Sequence, residues 1–211
     1  MEFVVEFFGL PRRLSGVKEA TVRVKPEANL RDVVKALAKQ FPSVLPEEAS
    51  GDPFTMYSNA LLPFGNRSGS FDADGLPGQR ITIIENGILS RFWATSRYAQ
   101  YLQIPATGEF GNMEIMSGSV PFANLFDGGP LYQIVAFSAM SPDPFTGDFV
   151  GEIRLGYEID EGRKRPIRGG SISGNLLAGL AAARLSKETV FLGDYLGPRG
   201  IRFAEVTVAG A

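Results

Sequence analysis

The first 45 residues combine two strand patterns with one amphipathic helix pattern. Residues 2–9 form an apolar run, and residues 19–26 alternate apolar and polar positions, as half-buried strands do. Residues 29–42 repeat apolar positions at helical spacing behind Asn29, a residue type that caps helix N-termini. The apolar face consists of Leu30, Val33, Val34, Leu37 and Ala38. The order strand, strand, helix predicts a partial β-grasp (ββα) module at residues 1–45.

The pattern changes after residues 46–52, which we interpret as a linker because they are polar and contain Pro and Gly. Residues 53–211 carry many strand patterns and few helix patterns, so we predict a sheet-rich, mostly antiparallel domain and an α+β protein overall. The predicted strands are 53–58, 79–93, 112–118, 131–140, 148–159, 163–172, 189–196 and 201–210. The predicted helices are 95–103 and 173–186, the second with Ser173 as its N-cap.

Two dipeptides predict tight hairpin turns. Asn86-Gly87 interrupts the 79–93 pattern with the residues that a type I′ turn prefers. Glu161-Gly162 marks a second turn, and the basic run that follows it faces Glu158 and other carboxylates across the hairpin. We therefore expect a charge-paired turn in solvent rather than a nucleic-acid-binding patch.

Composition limits the chemistry that these 211 residues can supply. The chain contains no Cys and no His, which excludes thiolate nucleophiles, imidazole bases and the commonest zinc ligands. We therefore expect no catalytic residue, no metal site and no cofactor. The formal net charge of −2 does not favour nucleic acid as a partner. The apolar runs are too short for a membrane span and the charged start is not typical of a signal peptide, so we expect a cytoplasmic protein.

Two short motifs give weak chemical signals. "RGGSISG" (168–174) could cradle a phosphate at a helix N-terminus, but it lacks the P-loop spacing and the following Lys. We favour glycines that turn a strand into a helix. "FDADG" (71–75) contains two Asp residues but lacks the further ligands of a calcium loop, so we expect a turn before the strand at residue 79.

Two segments near the amino terminus carry a family resemblance. They are "VEFFGLPRRLSG" (5–16) and "ANLRDVVKALAKQFP" (28–42), separated by an alternating strand. This arrangement resembles the MoaD/ThiS family of ubiquitin-like sulfur carriers. Members of that family act through a C-terminal Gly-Gly tail, whereas this sequence ends in Val208-Ala209-Gly210-Ala211. We therefore expect no sulfur-carrier chemistry.

Residues 53–211 contain several motifs in a characteristic order. They are "GSFDADGLPGQRITIIENGILSRFW", "ATGEFGN", "TGDFVGEIRLGY", "PIRGGSISGNL" and "IRFAEVTVAG". This series resembles the C-terminal domain of the TldD/PmbA family of metalloproteases, also called modulators of DNA gyrase. The resemblance implies a largely β domain that assembles with a second, similar subunit around an enclosed peptide-binding space.

The resemblance also indicates which type of subunit this chain is similar to. Catalytic members hold zinc through a His-Glu-x-x-x-His helix in the N-terminal domain and a Cys late in the C-terminal domain. These 211 residues contain neither, and the late loop is "GDYLGPRG" (193–200). The family includes a partner subunit without the zinc site, and this chain resembles that type. It implies a homodimer, or a heteromer with a zinc-bearing family member, and a possible peptide substrate.

Two surfaces are candidates for these roles. Asp148, Glu152, Gly169, Gly170 and Asn175 could form a peptide-facing surface, although the glycines could serve backbone geometry alone. A segment at residues 91–102, which we call the aromatic segment, contains the only Trp of the chain. Its interface candidates are Phe92, Trp93, Tyr98 and Tyr101. They could instead pack between a helix and a sheet.

The sequence thus favours a non-catalytic TldD/PmbA-like subunit of a metalloprotease assembly, binding peptide or a partner subunit. The alternative is a β-grasp interaction module derived from a sulfur carrier, with the second domain as scaffold. A third possibility is a chimera of two family fragments without a physiological role.

Overall fold

The computed structural model describes residues 2–6, 15–28, 30–40, 51–204 and 206–210. The strands are β1 (Glu2–Glu6), β2 (Glu19–Arg23), β3 (Met56–Asn59), β4 (Arg80–Glu85), β5 (Ile88–Leu89), β6 (Asn112–Ile115), β7 (Leu131–Pro142), β8 (Asp148–Asp160), β9 (Arg163–Ile167), β10 (Ser171–Asn175), β11 (Arg184–Leu185), β12 (Thr189–Leu192), β13 (Tyr195–Pro198), β14 (Ile201–Arg202) and β15 (Thr207–Ala209). The helices are α1 (Leu30–Gln40), α2 (Ser96–Leu102) and α3 (Leu176–Ala181), and Phe122–Phe126 forms a 3-10 helix. The prediction of a sheet-rich chain with few helices is confirmed.

The chain divides into two compact units. The first contains residues 1–50, 128–182 and 203–211, and the second contains residues 51–127 and 183–202. The predicted domains, 1–45, 46–52 and 53–211, are continuous segments of the sequence, and their boundaries stay a prediction. Among the described residues, no helix is both long enough and apolar enough to cross a membrane.

Strands β1 and β2 form an antiparallel hairpin, and helix α1 follows it. Val22 and Leu37 are the buried centre of a small core that also includes Val5 and Val33. Burial of alternate positions in β2, and of Val33 and Leu37 in α1, explains why the sequence pattern located these two elements. The predicted order strand, strand, helix is confirmed, whereas a complete β-grasp fold stays a prediction. The Asn29 cap and the side chains of Leu30, Val34 and Ala38 lie outside the described residues.

The first unit also contains an antiparallel sheet in the order β15-β10-β8-β7, with β9 also paired to β8. Strand β10 pairs with residues 148–152 of β8, and β9 pairs with residues 156–160. Because β7 occupies the other edge of β8, β9 and β10 follow one another along the same edge. Ile153, Ile167 and Ile172 form the buried core of this sheet.

Two predictions in this region are wrong. The predicted 163–172 strand is divided, because Gly169 and Gly170 have positive φ angles of 87° and 78° and separate β9 from β10. The predicted helix at 173–186 begins only at Leu176, because residues 171–175 pair with β8 on one side and β15 reaches residues 171–173 on the other. Ser173 is therefore a strand residue, and residues 168–173 do not form a helix N-terminus.

The second unit contains a six-stranded sheet in the order β12-β13-β6-β3-β4-β5. All neighbouring strands are antiparallel except β13 and β6. Asn86 and Gly87 have φ angles of 51° and 78°, which confirms the type I′ turn, but the returning strand β5 contains only two residues. The predicted 189–196 strand is a hairpin, β12 and β13. The predicted 201–210 strand is two short strands, β14 and β15, that belong to different units.

Candidate functional site

One face of the six-stranded sheet presents polar side chains around a fully buried amide. Asn112, which has no exposed surface, donates from Nδ2 to the Asn59 carbonyl at 2.7 Å and to Ser68 Oγ at 2.9 Å. Its Oδ1 accepts from the Arg67 N–H at 2.9 Å. A Cβ on Gly65 would lie 2.5 Å from Asn112 Oδ1. The loop at residues 60–70 is therefore fixed to β3 and β6 by a side chain that has no room to move.

An ion pair continues this polar face. Arg80 donates to both oxygens of Glu114, at 2.8 and 2.9 Å, and Asn59 Nδ2 donates to Glu114 Oε2 at 2.8 Å. The Arg80 guanidinium also lies 3.5 Å from the centre of the Tyr57 ring. The hydrogen bond from Arg80, supported by that from Asn59, lowers the pKa of Glu114 although partial burial opposes the shift. The result is a fixed pair of opposite charges beside an aromatic ring.

A cleft of about 500 Å³ opens in the second unit. Its lining includes Thr55, Tyr57, Glu85, Asn86, Met116 and Ser119. Thr55 precedes β3 and is 8% exposed, and its Oγ1 accepts from the Asn86 N–H at 3.0 Å. The Met116 N–H donates to the Thr55 carbonyl at 3.0 Å. The ends of β3, β4 and β6 therefore meet at this cleft.

Asp52 also lines the cleft and is held firmly. Its Oδ2 accepts from the Leu185 N–H at 2.7 Å, and its Oδ1 accepts from Arg184 at 3.1 Å. A Cβ on Gly118 would lie 2.2 Å from the Leu185 carbonyl oxygen and 2.8 Å from Asp52 Oδ2. Glycine is required there because two backbone segments and a carboxylate approach closely.

Hydrogen bonds and an ion pair hold the late loop at residues 193–200 in place. The Asn66 N–H donates to the Gly193 carbonyl at 3.1 Å, and Arg67 pairs with Asp194 at 3.0 Å. The Tyr195 hydroxyl donates to the Pro198 carbonyl at 3.0 Å, and burial raises the pKa of Tyr195. Within the described parts of the chain, no group of three or more Asp and Glu side chains is placed to hold a metal ion.

The predicted peptide-facing residues lie together at β8, β10 and the turn before β10. The Asn175 side chain donates to the Thr146 carbonyl and to Asp148 Oδ1, both at 2.9 Å, and accepts from the Leu177 and Ala178 N–H groups. It is therefore the N-cap of α3 and uses its full hydrogen-bonding capacity.

The other members of this predicted set have simpler surroundings. The Gly169 N–H donates to the Ile153 carbonyl at 3.0 Å, and the Ile153 N–H donates to the Gly170 carbonyl at 2.9 Å. These bonds keep the interrupted strand attached to β8, as the geometric explanation for the glycines requires. Glu152 is exposed on β8. A peptide-facing role for the set stays a prediction.

The four aromatic residues of the aromatic segment are exposed in the isolated chain. The exposed fractions are 52% for Phe92, 49% for Trp93, 61% for Tyr98 and 83% for Tyr101. Trp93 meets Phe110 edge to face at 5.2 Å, and the small residues Ala94 and Ala99 are the buried ones. The contact with Phe110 covers part of Trp93, whereas about half or more of each of Phe92, Tyr98 and Tyr101 stays exposed.

The cleft and the Asn112 network were not predicted from the sequence. Thr55 precedes β3, Glu85 ends β4 and Ser117 follows β6, and no spacing pattern relates them. The buried amide had one available signal, since Asn112 directly follows the glycine of "ATGEFGN", but its partner segment begins more than 40 residues earlier. The expected turn at 71–75 is confirmed, because Asp72 Oδ1 accepts from the Asp74 and Leu76 N–H groups at 3.0 and 2.8 Å.

Comparison with known proteins shows the family to which this chain is similar. The model of the PmbA/TldA metallopeptidase C-terminal domain matches residues 42–210. A zinc metalloprotease TldD homologue from Saccharolobus solfataricus is 28% identical over 129 residues, which cover 54% of this chain and 29% of that protein.

Two solved structures share the fold. TldE from Thermococcus kodakarensis aligns with a TM-score of 0.68 at 20% identity, covering 99% of this chain and 50% of that one. A candidate modulator of a DNA gyrase from Thermotoga maritima aligns with a TM-score of 0.66 at 21% identity, covering 77% of this chain and 40% of that one. The chain thus spans half or less of the length of these relatives.

Proposed function

The chain belongs to the PmbA/TldD metallopeptidase family through its C-terminal domain, and on this premise we propose that it is a non-catalytic subunit of a metallopeptidase assembly. In this proposal it docks on a zinc-bearing family member and holds peptide beside the partner's metal. These 211 residues contain no His and no Cys, so imidazole and thiolate ligands come from the partner.

The observation that carries the proposal is the exposure of the aromatic segment. Tyr98 and Tyr101 lie on the short helix α2, and Phe92 and Trp93 directly precede it. Exposed aromatic residues in one segment are typical of protein interfaces, because each buries a large area at a low cost in side-chain entropy. Arg91 and Arg97 lie in the same segment and supply the polar rim that such interfaces have.

Binding to the zinc-bearing relative from the same organism tests this role. We expect a complex in which Trp93→Ala and Tyr101→Ala each raise the Kd by about tenfold or more, as substitutions of buried interface aromatics do. Phe145→Ala is the matched control, because Phe145 is 79% exposed and lies in the other unit. Equal affinity of all four proteins would remove the aromatic segment from the interface.

The packed β1–β2–α1 module favours a second candidate function, an interaction module that binds a partner through residues 1–45. Its core around Val22 and Leu37 gives it the order that a docking module needs. A chain lacking residues 1–45 distinguishes the two: it retains partner binding if the aromatic segment is the interface, and it loses binding if the amino-terminal module is.

A further inference from the structure

One exposed aromatic residue in the second unit has a backbone conformation that aromatic residues rarely adopt. Residues 62–65 form a tight turn, closed by a hydrogen bond from the Gly65 N–H to the Leu62 carbonyl at 3.1 Å. Phe64 is the third residue of this turn and has a φ angle of 61°. Turns with a positive φ at the third position usually have Gly or Asn there, because a bulky side chain is unfavourable in this region.

The surrounding contacts impose this conformation on Phe64. Leu62 is buried, and its carbonyl also accepts a hydrogen bond from Ser68 Oγ. Gly65 lies so close to the buried amide of Asn112 that it has no room for a Cβ. Because both ends of the turn are fixed, Phe64 cannot reach a negative φ unless the whole loop shifts.

The Phe64 side chain gains little packing in return. It is 95% exposed, so contacts within the described chain offset little of the unfavourable backbone conformation. Leu61, which precedes the turn, is exposed as well. A fixed and exposed Phe is well suited to an interface, because it offers a large apolar area without a cost in ordering the backbone on binding.

A short segment connects this turn to the aromatic segment. In residues 107–111, the Gly108 N–H donates to the Ala94 carbonyl at 3.1 Å. A Cβ on Gly111 would lie 2.5 Å from the backbone nitrogen of Ala60, so the two backbones are in direct contact. The turn and the aromatic segment therefore flank one short stretch of chain, and a single partner surface can contact both.

From these features we propose that Phe64 is an anchor residue at the interface with the zinc-bearing family member, with its ring buried in an apolar pocket of that partner. The exposed ion pair between Arg67 and Asp194, at 3.0 Å, belongs to the polar rim of this contact. The inference rests on the proposed function, which supplies the partner. It adds to the aromatic segment a second contact whose geometry is set before binding.

Replacement of Phe64 by Gly tests the inference, because it should weaken binding without weakening the fold. Gly adopts a positive φ readily, so the urea midpoint of the isolated chain should not fall. The Kd for the zinc-bearing relative from the same organism should rise at least about tenfold, since the buried ring is lost. Phe64→Asn should behave in the same way, because Asn also tolerates a positive φ.

Glu161→Gly is the matched control. Glu161 has a φ angle of 47° in the turn between β8 and β9 of the other unit, so this substitution relieves the same kind of strain and should leave the Kd unchanged.

The outcomes separate this inference from the proposed function. Wild-type affinity of Phe64→Gly, together with weaker binding of Trp93→Ala, would overturn the anchor and leave the proposed function intact. A lower urea midpoint for Phe64→Gly would assign Phe64 to the fold and also overturn the anchor. Self-association of the chain that Phe64→Gly abolishes would make the partner a second copy and overturn the assignment to the zinc-bearing relative. Absence of binding by the wild-type chain would overturn both proposals.

Discussion

Replacing Asn112 by Ala should selectively destabilise the second unit. The substitution removes two hydrogen bonds donated by Nδ2 and one accepted by Oδ1, all in a fully buried position. At about 1 kcal/mol net for each bond, the loss is about 3 kcal/mol. A domain with a stability of about 5–15 kcal/mol would survive this loss with a clearly lower unfolding midpoint.

Trp93 provides the assay, because it is the only Trp of the chain and belongs to the same unit as Asn112. With a slope of about 2 kcal/mol per molar urea, the fluorescence midpoint should fall by about 1.5 M. Hydrogen exchange of the Arg67 and Ser68 amides should accelerate as well. Asn124→Ala, at an exposed position, should shift the midpoint by no more than about 0.25 M. Equal shifts for the two variants would refute the role of Asn112 in holding the loop at residues 60–70 against β3 and β6.

Three further substitutions test individual contacts. Arg80 lowers the pKa of Glu114 from its ordinary 4.5, so the stabilisation that ionised Glu114 contributes is present above that value and is lost as pH falls through the lower folded pKa. The difference in Tm between wild type and Glu114→Gln should therefore shrink on acidification from pH 6. A constant difference would contradict this. Asn175→Ala should lower the free energy of unfolding by about 1–2 kcal/mol and speed amide exchange at the start of α3. A loss of stability without faster exchange there would contradict a capping role for Asn175. Gly118→Ala should destabilise by about 1–3 kcal/mol, measured by urea unfolding, because its Cβ would overlap the Leu185 carbonyl; unchanged stability would show that the two segments separate easily.

The sequence predicted elements whose signals are local. The turns at Asn86-Gly87 and Glu161-Gly162 were correct because both residues of each turn must adopt positive φ, which few residue types tolerate. The charge pairing across the second hairpin was also correct, since Arg165 pairs with Glu158. The predicted helix at 95–103 is observed as Ser96–Leu102.

Elements that depend on distant partners were not predicted correctly. Residues 173–175 have helix formers after them, but their pairing with β8 and β15 keeps them extended and moves the cap from Ser173 to Asn175. The cleft could not be predicted, because Asp52, Glu85 and Ser117 are brought together only by the pairing of β3 with β4 and β6. The exposure of Tyr101 also depends on which side of α2 packs, and Ala99 rather than an aromatic residue is buried there.

Cleavage of an unstructured peptide is the most direct test of the proposed subunit role. The chain alone, the zinc-bearing relative from the same organism alone, and an equimolar mixture are compared at equal zinc concentration. We expect no cleavage by this chain alone. The mixture should cleave faster than the relative alone, and its rate should fall when Trp93→Ala replaces the wild-type chain. Cleavage by this chain alone, or a mixture no faster than the relative alone, would contradict a non-catalytic subunit that acts within the assembly.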